Sequence, residues 1–235
     1  MDFTHSFPPS PFPSYETRQA AQDWTHLTPE ANCIKWTLNG PFQTAIWVMP
    51  HFQVDVDNPA HDTPYCIFDE NGIGPPIWHA ISQAPFTHPP ISSVRIRVES
   101  LDEWEYNWSE KHGLHSAYNE GNPGFTECCG TRVPSNMGAE LTVRAIEGEF
   151  VTVHDFLATV HPYLMYRRKH ILAAMAEDPR YDPSLKVVCR AFPDGLRYPP
   201  RRGAFAANTK LMVDIQTPVD LDVTDEAQWL VARTT

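Results

Sequence analysis

Residues 93–100, SVRIRVES, put Val94, Ile96 and Val98 on one face of an extended chain and Arg95, Arg97 and Glu99 on the other. A period of two is what a half-buried β-strand requires, because successive side chains leave a sheet on opposite faces. The same alternation returns in CIKWTLN (33–39), TAIWVM (44–49), ELTVRAIEG (140–148) and KLMVDIQ (210–216). In the first of these, Ile34, Trp36 and Leu38 share a face. Helical periodicity does not follow each strand in turn, so the pattern is not that of a parallel α/β sheet. It predicts an α+β fold, a mostly antiparallel sheet with one or two helices packed on one face and long irregular loops.

The strongest helix signal is FVTVHDFLATVHPYL, residues 150–164. Thr152 and Asp155 fit a capping box, in which the hydroxyl accepts from an early backbone N–H and the acid reaches back to the cap. Phe156, Leu157, Val160 and Leu164 then fall at helical spacing and form an apolar stripe, continued by Ile171, Leu172 and Met175. Pro162 has no N–H and clashes with the carbonyl four residues back, which predicts a stop or kink there and a restart toward Met175. Capping and kinking leave His154 and His161 as the residues of this stretch without an assigned role. His161 lies beside the stripe and is the better candidate for a buried acid–base group, because a neutral imidazole exchanges protons near pH 7. His154 falls in the first turn, where exposure is expected and the helix dipole disfavours an imidazolium.

Together with SVRIRVES upstream, the same stretch resembles the V-T-V-R-D-hydrophobic-Leu helix start of a fungal family of uncharacterised domains. The likeness covers residues 93–175 and is strongest over 151–164, with His154 standing where the family pattern has arginine. The resemblance implies a fungal origin and a compact α+β domain; it lends no activity.

Elsewhere the chain is irregular. Residues 1–14 are proline-rich (FPPSPFPS over 7–14) and are expected to lie extended or disordered, with 15–235 forming a single globular domain opened by a short helix over 16–24. Residues 55–91 and 110–138 read as two long loops, of the kind that in a compact domain is functional or disordered. Between them, residues 100–113, SLDEWEYNWSEKHG, follow directly on a strand. They read either as an amphipathic turn packing Trp104 and Trp108, or as carboxylates, Asp102 and Glu103 foremost, beside an apolar wall that raises a carboxyl pKa.

A net charge of −11 and only short basic knots, at 167–169 and 201–202, argue against nucleic acid as the partner. No apolar run approaches the roughly 20 residues of a membrane span. The opening MDFTHSFPPSPFPS has neither the positive nor the apolar segment of a secretory leader, so a soluble, cytoplasmic protein with reduced thiols is expected. His112 and His115, with Cys128 and Cys129 downstream, are residue types that hold zinc, but their spacing matches no standard zinc module. The expectation is no metal and no cofactor. No Walker A loop, G-x-G-x-x-G, H-E-x-x-H or G-x-S-x-G is present.

Eleven histidines and seven tryptophans, without a cofactor motif, point to a small-molecule site. The expected function is a cofactor-independent enzyme acting on a hydrophobic small molecule: a cyclase, isomerase or lyase of fungal secondary metabolism. Its acid–base groups would come from His161, Asp102, Glu103, His112 and His115, and its aromatic wall from Trp36, Trp47, Trp78, Trp104 and Trp108. A non-catalytic protein-interaction domain is the alternative. Oligomeric state is not legible.

Overall fold

The computed structural model describes residues 10–49, 62–69, 74–112, 127–132, 140–146, 148–176, 188–193 and 211–216; of these, 131–132, 188–193 and 211–216 are described by their backbone alone. In chain order the elements are α1 (Tyr15–Ala20), β1 (His26–Leu27), α2 (Pro29–Asn32), β2 (Ile34–Thr37), β3 (Ile46–Val48), β4 (Thr63–Pro64), β5 (Cys66–Ile67), β6 (Ile77–Trp78), a 3-10 turn (Ala80–Gln83), β7 (Thr87–His88), β8 (Ser93–Val98), α3 (Glu99–His112), β9 (Glu127–Cys128), β10 (Thr131–Arg132), β11 (Leu141–Arg144), α4 (Val153–Met175), β12 (Val188–Pro193) and β13 (Leu211–Gln216).

The main sheet has seven strands in the order β11-β8-β13-β12-β2-β3-β4. Every neighbouring pair is antiparallel except β13 with β8. All five segments with period-two alternation contribute a strand, and β12 and β4 add two that the sequence pattern did not single out. In β8 the alternation is strict: Val94, Ile96 and Val98 are buried and Arg95 and Arg97 half-exposed. One face of this strand is therefore core. Trp36, Leu38, Ile46, Val48 and Val143 join that core, and α4 covers it with Phe156, Leu157, Val160, Leu164 and Ile171. The fold is α+β.

Three expectations need correction. First, α4 runs without interruption through Pro162 for 23 residues. Pro162 lies on the exposed side of the helix, where the carbonyl it leaves unbonded can tilt toward water, so the loss is tolerated. Second, residues 99–112 are a 14-residue helix rather than a turn, starting directly at the end of β8. Leu101 and Trp108, seven apart and therefore on one helical face, are both buried. Third, the two stretches read as loops contain structure: β4 to β7 and the 3-10 turn in the first, the end of α3 and a β9–β10 hairpin in the second.

The start of α4 is fixed on three sides. Thr152 Oγ1 accepts from Asp155 N (3.0 Å), and Asp155 Oδ2 accepts from Thr152 N (2.9 Å), completing the capping box. Residues 84–86 run alongside, with Val153 N donating to Ala84 O (2.9 Å) and Phe86 N to Val151 O (2.9 Å). Phe86 stacks on Phe156 at 3.9 Å between centroids. Since residues 84–86 follow β6 and the 3-10 turn closely, this stitching also sets Trp78 beside the first turn of α4. At the other end of the chain's path, residues 10–14 bend at Pro11 and Phe12 and are docked: Pro13 O accepts from Ser92 N, Phe12 packs edge-on against Phe150, and Ser14 caps α1. Helix α1 ends at Ala20, short of the expected Trp24. Among the described residues, no helix is long and apolar enough to cross a membrane.

Candidate functional site

One face of α4 carries His154, His161 and Arg168 at intervals of seven residues, about two helical turns, so all three project to the same side. What they meet there is the β2–β3 connection. Arg168 donates from Nε to Leu38 O (3.1 Å) and from Nη2 to Asn39 Oδ1 (3.2 Å). His161 bonds Gly40 O through Nε2 (3.1 Å). Phe42 then places its ring 5.9 Å from both His161 and His154. Gly40 has φ +95, a left-handed conformation that side-chain-bearing residues rarely adopt, and this lets the connection turn with its carbonyl toward the helix.

His161 is buried, as its place beside the apolar stripe predicts. Its Nδ1 receives the indole N–H of Trp36 at 2.9 Å. An indole nitrogen only donates, so Nδ1 must be unprotonated and Nε2 must carry the hydrogen that goes to Gly40 O. Burial pulls the imidazolium pKa below its ordinary value, against a smaller opposing effect of the Gly40 carbonyl. His161 is therefore a neutral imidazole with both nitrogens committed. Proton exchange there requires one of those bonds to break, so the acid–base assignment expected from the sequence moves off His161.

His154 has the opposite character. It is half-buried rather than exposed, and it lies within a set of rings: Trp78 at 4.6 Å, Phe42 at 5.9 Å and Tyr65 at 6.2 Å, the last nearly parallel. Its Nδ1 is 3.2 Å from the Tyr65 hydroxyl. Tyr65 is fully buried. Burial, with Asp155 and Cys66 adding to it, pushes the phenol above its ordinary pKa, so Tyr65 enters this bond as a neutral hydroxyl. Tyr65 thus holds the imidazole from the core side, while Trp78 and Phe42, both half-buried, flank it. A histidine oriented by a buried hydroxyl beside aromatic rings can give or take a proton.

The structure divides the other sequence candidates. Trp36 and Trp78 belong with His161 and His154, joined through Phe42. Trp47 does not: it pairs with Lys35 on the face of β3 opposite Ile46 and Val48 and is 39% exposed. Asp102 and Glu103 lie on α3, where Asp102 is ion-paired with Arg97 at 2.7 Å and contributes to the field on Tyr163. Burial is the main influence on that tyrosine and raises its pKa, Arg167 opposing. Trp104 is half-buried against the main core. Trp108 and His112 form a stacked pair, 4.6 Å apart, at the C-terminal end of α3. His115 lies outside the described residues.

Tyr65, Phe42 and Arg168 escaped sequence reading. Arg168 was legible only as part of a basic knot, yet its seven-residue offset from His161 repeats the offset of His161 from His154. That offset was the signal available. Near the end of α3 the nitrogen of His112 and the sulfurs of Cys128 and Cys129 all lie within 4.8 Å of one another, a grouping the sequence spacing does not reveal.

No family model, no curated protein and no solved structure matches the chain.

Proposed function

We propose that the protein is an enzyme that binds a hydrophobic small molecule against Phe42 and Trp78 and uses His154 as its acid–base group, without an organic cofactor. The observation that carries this reading is the Tyr65 hydroxyl 3.2 Å from His154 Nδ1 inside the ring set. A half-buried imidazole in such a wall is suited to proton transfer in isomerisation, cyclisation or elimination, reactions that need a base and an acid but no redox partner. His161, Trp36 and Arg168 hold the β2–β3 connection so that Phe42 stays in place. A fungal source belongs to the same proposal and rests on the resemblance of residues 93–175; a role in secondary metabolism rests on the richness in histidine and tryptophan without a cofactor motif.

The test is untargeted metabolite profiling of incubations with wild-type protein and with His154→Gln. A small apolar metabolite that the wild type consumes and His154→Gln leaves untouched supports the reading. Equal consumption by both, or none by the wild type, overturns it.

A second reading, a non-catalytic interaction domain, is favoured by one feature. On the β5–β6 ribbon Ile67 and Ile77 face each other across the strands and are 54% and 61% exposed, with Phe68 beside them at 43%. Such a pair offers apolar surface to another protein. A stable complex recovered with wild type and lost in Ile67→Ser/Ile77→Ser, without any turnover, would select it.

A further inference from the structure

We infer that His112, Cys128 and Cys129 form a binding site for one divalent zinc ion, with water in the fourth position. The three side chains come from separate elements: His112 from the last turn of α3, Cys128 from the end of β9 and Cys129 from the turn that follows. Their ligand atoms lie within 4.8 Å of one another. The two sulfurs are 3.7 Å apart, too far for a disulfide. A tetrahedral ion with zinc–sulfur bonds of about 2.3 Å holds its sulfurs about 3.8 Å apart, so both thiolates reach one ion with almost no movement.

The hairpin backbone supplies independent support. Cys128 pairs with Thr131 and Glu127 with Arg132, leaving Cys129-Gly130 as a two-residue turn. Both turn residues have positive φ, +52 and +74, the signature of a type I′ turn. Asn-Gly and Asp-Gly are the favoured pairs for this turn, and a cysteine in the left-handed region is strained. The turn therefore carries a residue poorly suited to its backbone, and that residue brings a second sulfur beside the first.

The surroundings suit a cation. His112 occupies the C-terminal turn of a 14-residue helix, the end at which the backbone dipole stabilises positive charge. Stacking on Trp108 fixes the imidazole plane. His112 and Cys128 are half-buried while Cys129 is exposed, which gives the ion a route in. On binding, the two thiols release their protons to solvent and the imidazole binds through a neutral nitrogen. The ion would clamp the β9–β10 hairpin to the end of α3, a contact remote in sequence from the His154 ring set.

The site is tested on the full chain, reduced and freed of metal, by zinc titration against a chromophoric chelator and by cobalt(II) substitution. One zinc per chain is expected, with proton release, and cobalt should give the thiolate charge-transfer absorption of a tetrahedral site. Cys128→Ser and His112→Gln should weaken zinc binding at least about tenfold, the lower end of what even supporting residues of metal sites produce. Cys129→Asn is the decisive variant, because Asn-Gly suits the turn better than Cys-Gly: it should keep or raise the melting temperature of the metal-free protein while losing zinc to the same degree. Cys33→Ser should bind zinc as the wild type does. Zinc affinity unchanged in Cys129→Asn, no binding at micromolar zinc, or a Cys128–Cys129 disulfide in the reduced protein would each overturn the proposal.

Discussion

The indole N–H of Trp36 donates to Nδ1 of His161 across 2.9 Å, joining β2 to the middle of α4 between residues 125 apart in the chain. Two partly polar side chains satisfy each other inside an apolar core, and the remaining imidazole nitrogen ties down Gly40. A buried polar pair of this kind is stable only while complete, since an orphaned acceptor keeps its desolvation penalty without a compensating bond.

Trp36→Phe removes the donor and leaves Nδ1 of His161 buried without it. An orphaned group of this type costs about 1–3 kcal/mol, and the lost ring volume adds to that, so a destabilisation of at least about 2 kcal/mol is expected in urea unfolding. The His161 pKa should also rise, because the lost bond favoured the neutral ring. A stability change under about 1 kcal/mol, or an unchanged histidine titration by NMR, would show that the bond does not hold His161.

Burial depresses the His161 pKa below the 6.5 of an unperturbed histidine. Between the folded and unfolded pKa values the unfolded chain binds more protons, so stability rises with pH across that window. Its contribution is complete above about pH 6.5 and declines as the pH falls below it, before the carboxylates titrate near pH 4. His161→Gln, which keeps an acceptor for Trp36 and a donor for Gly40, should abolish this limb of the stability–pH curve. A mutant curve parallel to the wild type between pH 6.5 and 5 would assign the limb to another group.

Thr152→Ala deletes one half of the capping box and should destabilise the protein by about 1 kcal/mol, measured by thermal unfolding. Any turnover per folded molecule should survive, because among the described residues the hydroxyl is bonded to the Asp155 backbone N–H of the cap. Loss of turnover at unchanged stability would mean that Thr152 acts on the site directly.

Local rules made the strands, the cap of α4 and its buried stripe legible, because alternation, hydroxyl–acid spacing and helical periodicity each report on a few neighbouring residues. The rings around His154 were not legible. Tyr65 lies in the bend between β4 and β5 and Trp78 in the two-residue β6, within a stretch lacking periodicity; the bond from Tyr65 N to Ile46 O and the pairing of residues 84–86 with 151–153 bring them to α4. Pro162 misled for a related reason: its penalty depends on whether its side of the helix faces solvent, which the tertiary packing decides. His112, Cys128 and Cys129 meet through a hairpin whose turn residue, Cys129, breaks the usual turn preference.

The sharpest division falls between the two histidines of α4. His154 is half-buried, flanked by Trp78 and Phe42, and positioned by the buried Tyr65 hydroxyl; His161 has both nitrogens bonded within the core. With the metabolite found in the profiling experiment, His154→Gln should lower kcat by on the order of a hundredfold or more, the usual range for an acid–base group. Tyr65→Phe should act less strongly and in a different way, shifting the pH dependence of kcat/KM as His154 loses the bond that orients it. His161→Gln should leave kcat near the wild-type value once its lower stability at the assay pH is taken into account. These outcomes are read on protein whose circular dichroism confirms folding. A hundredfold loss in His161→Gln beside a near-normal His154→Gln would return the chemistry to the buried ring and show that its bond to Trp36 opens during turnover.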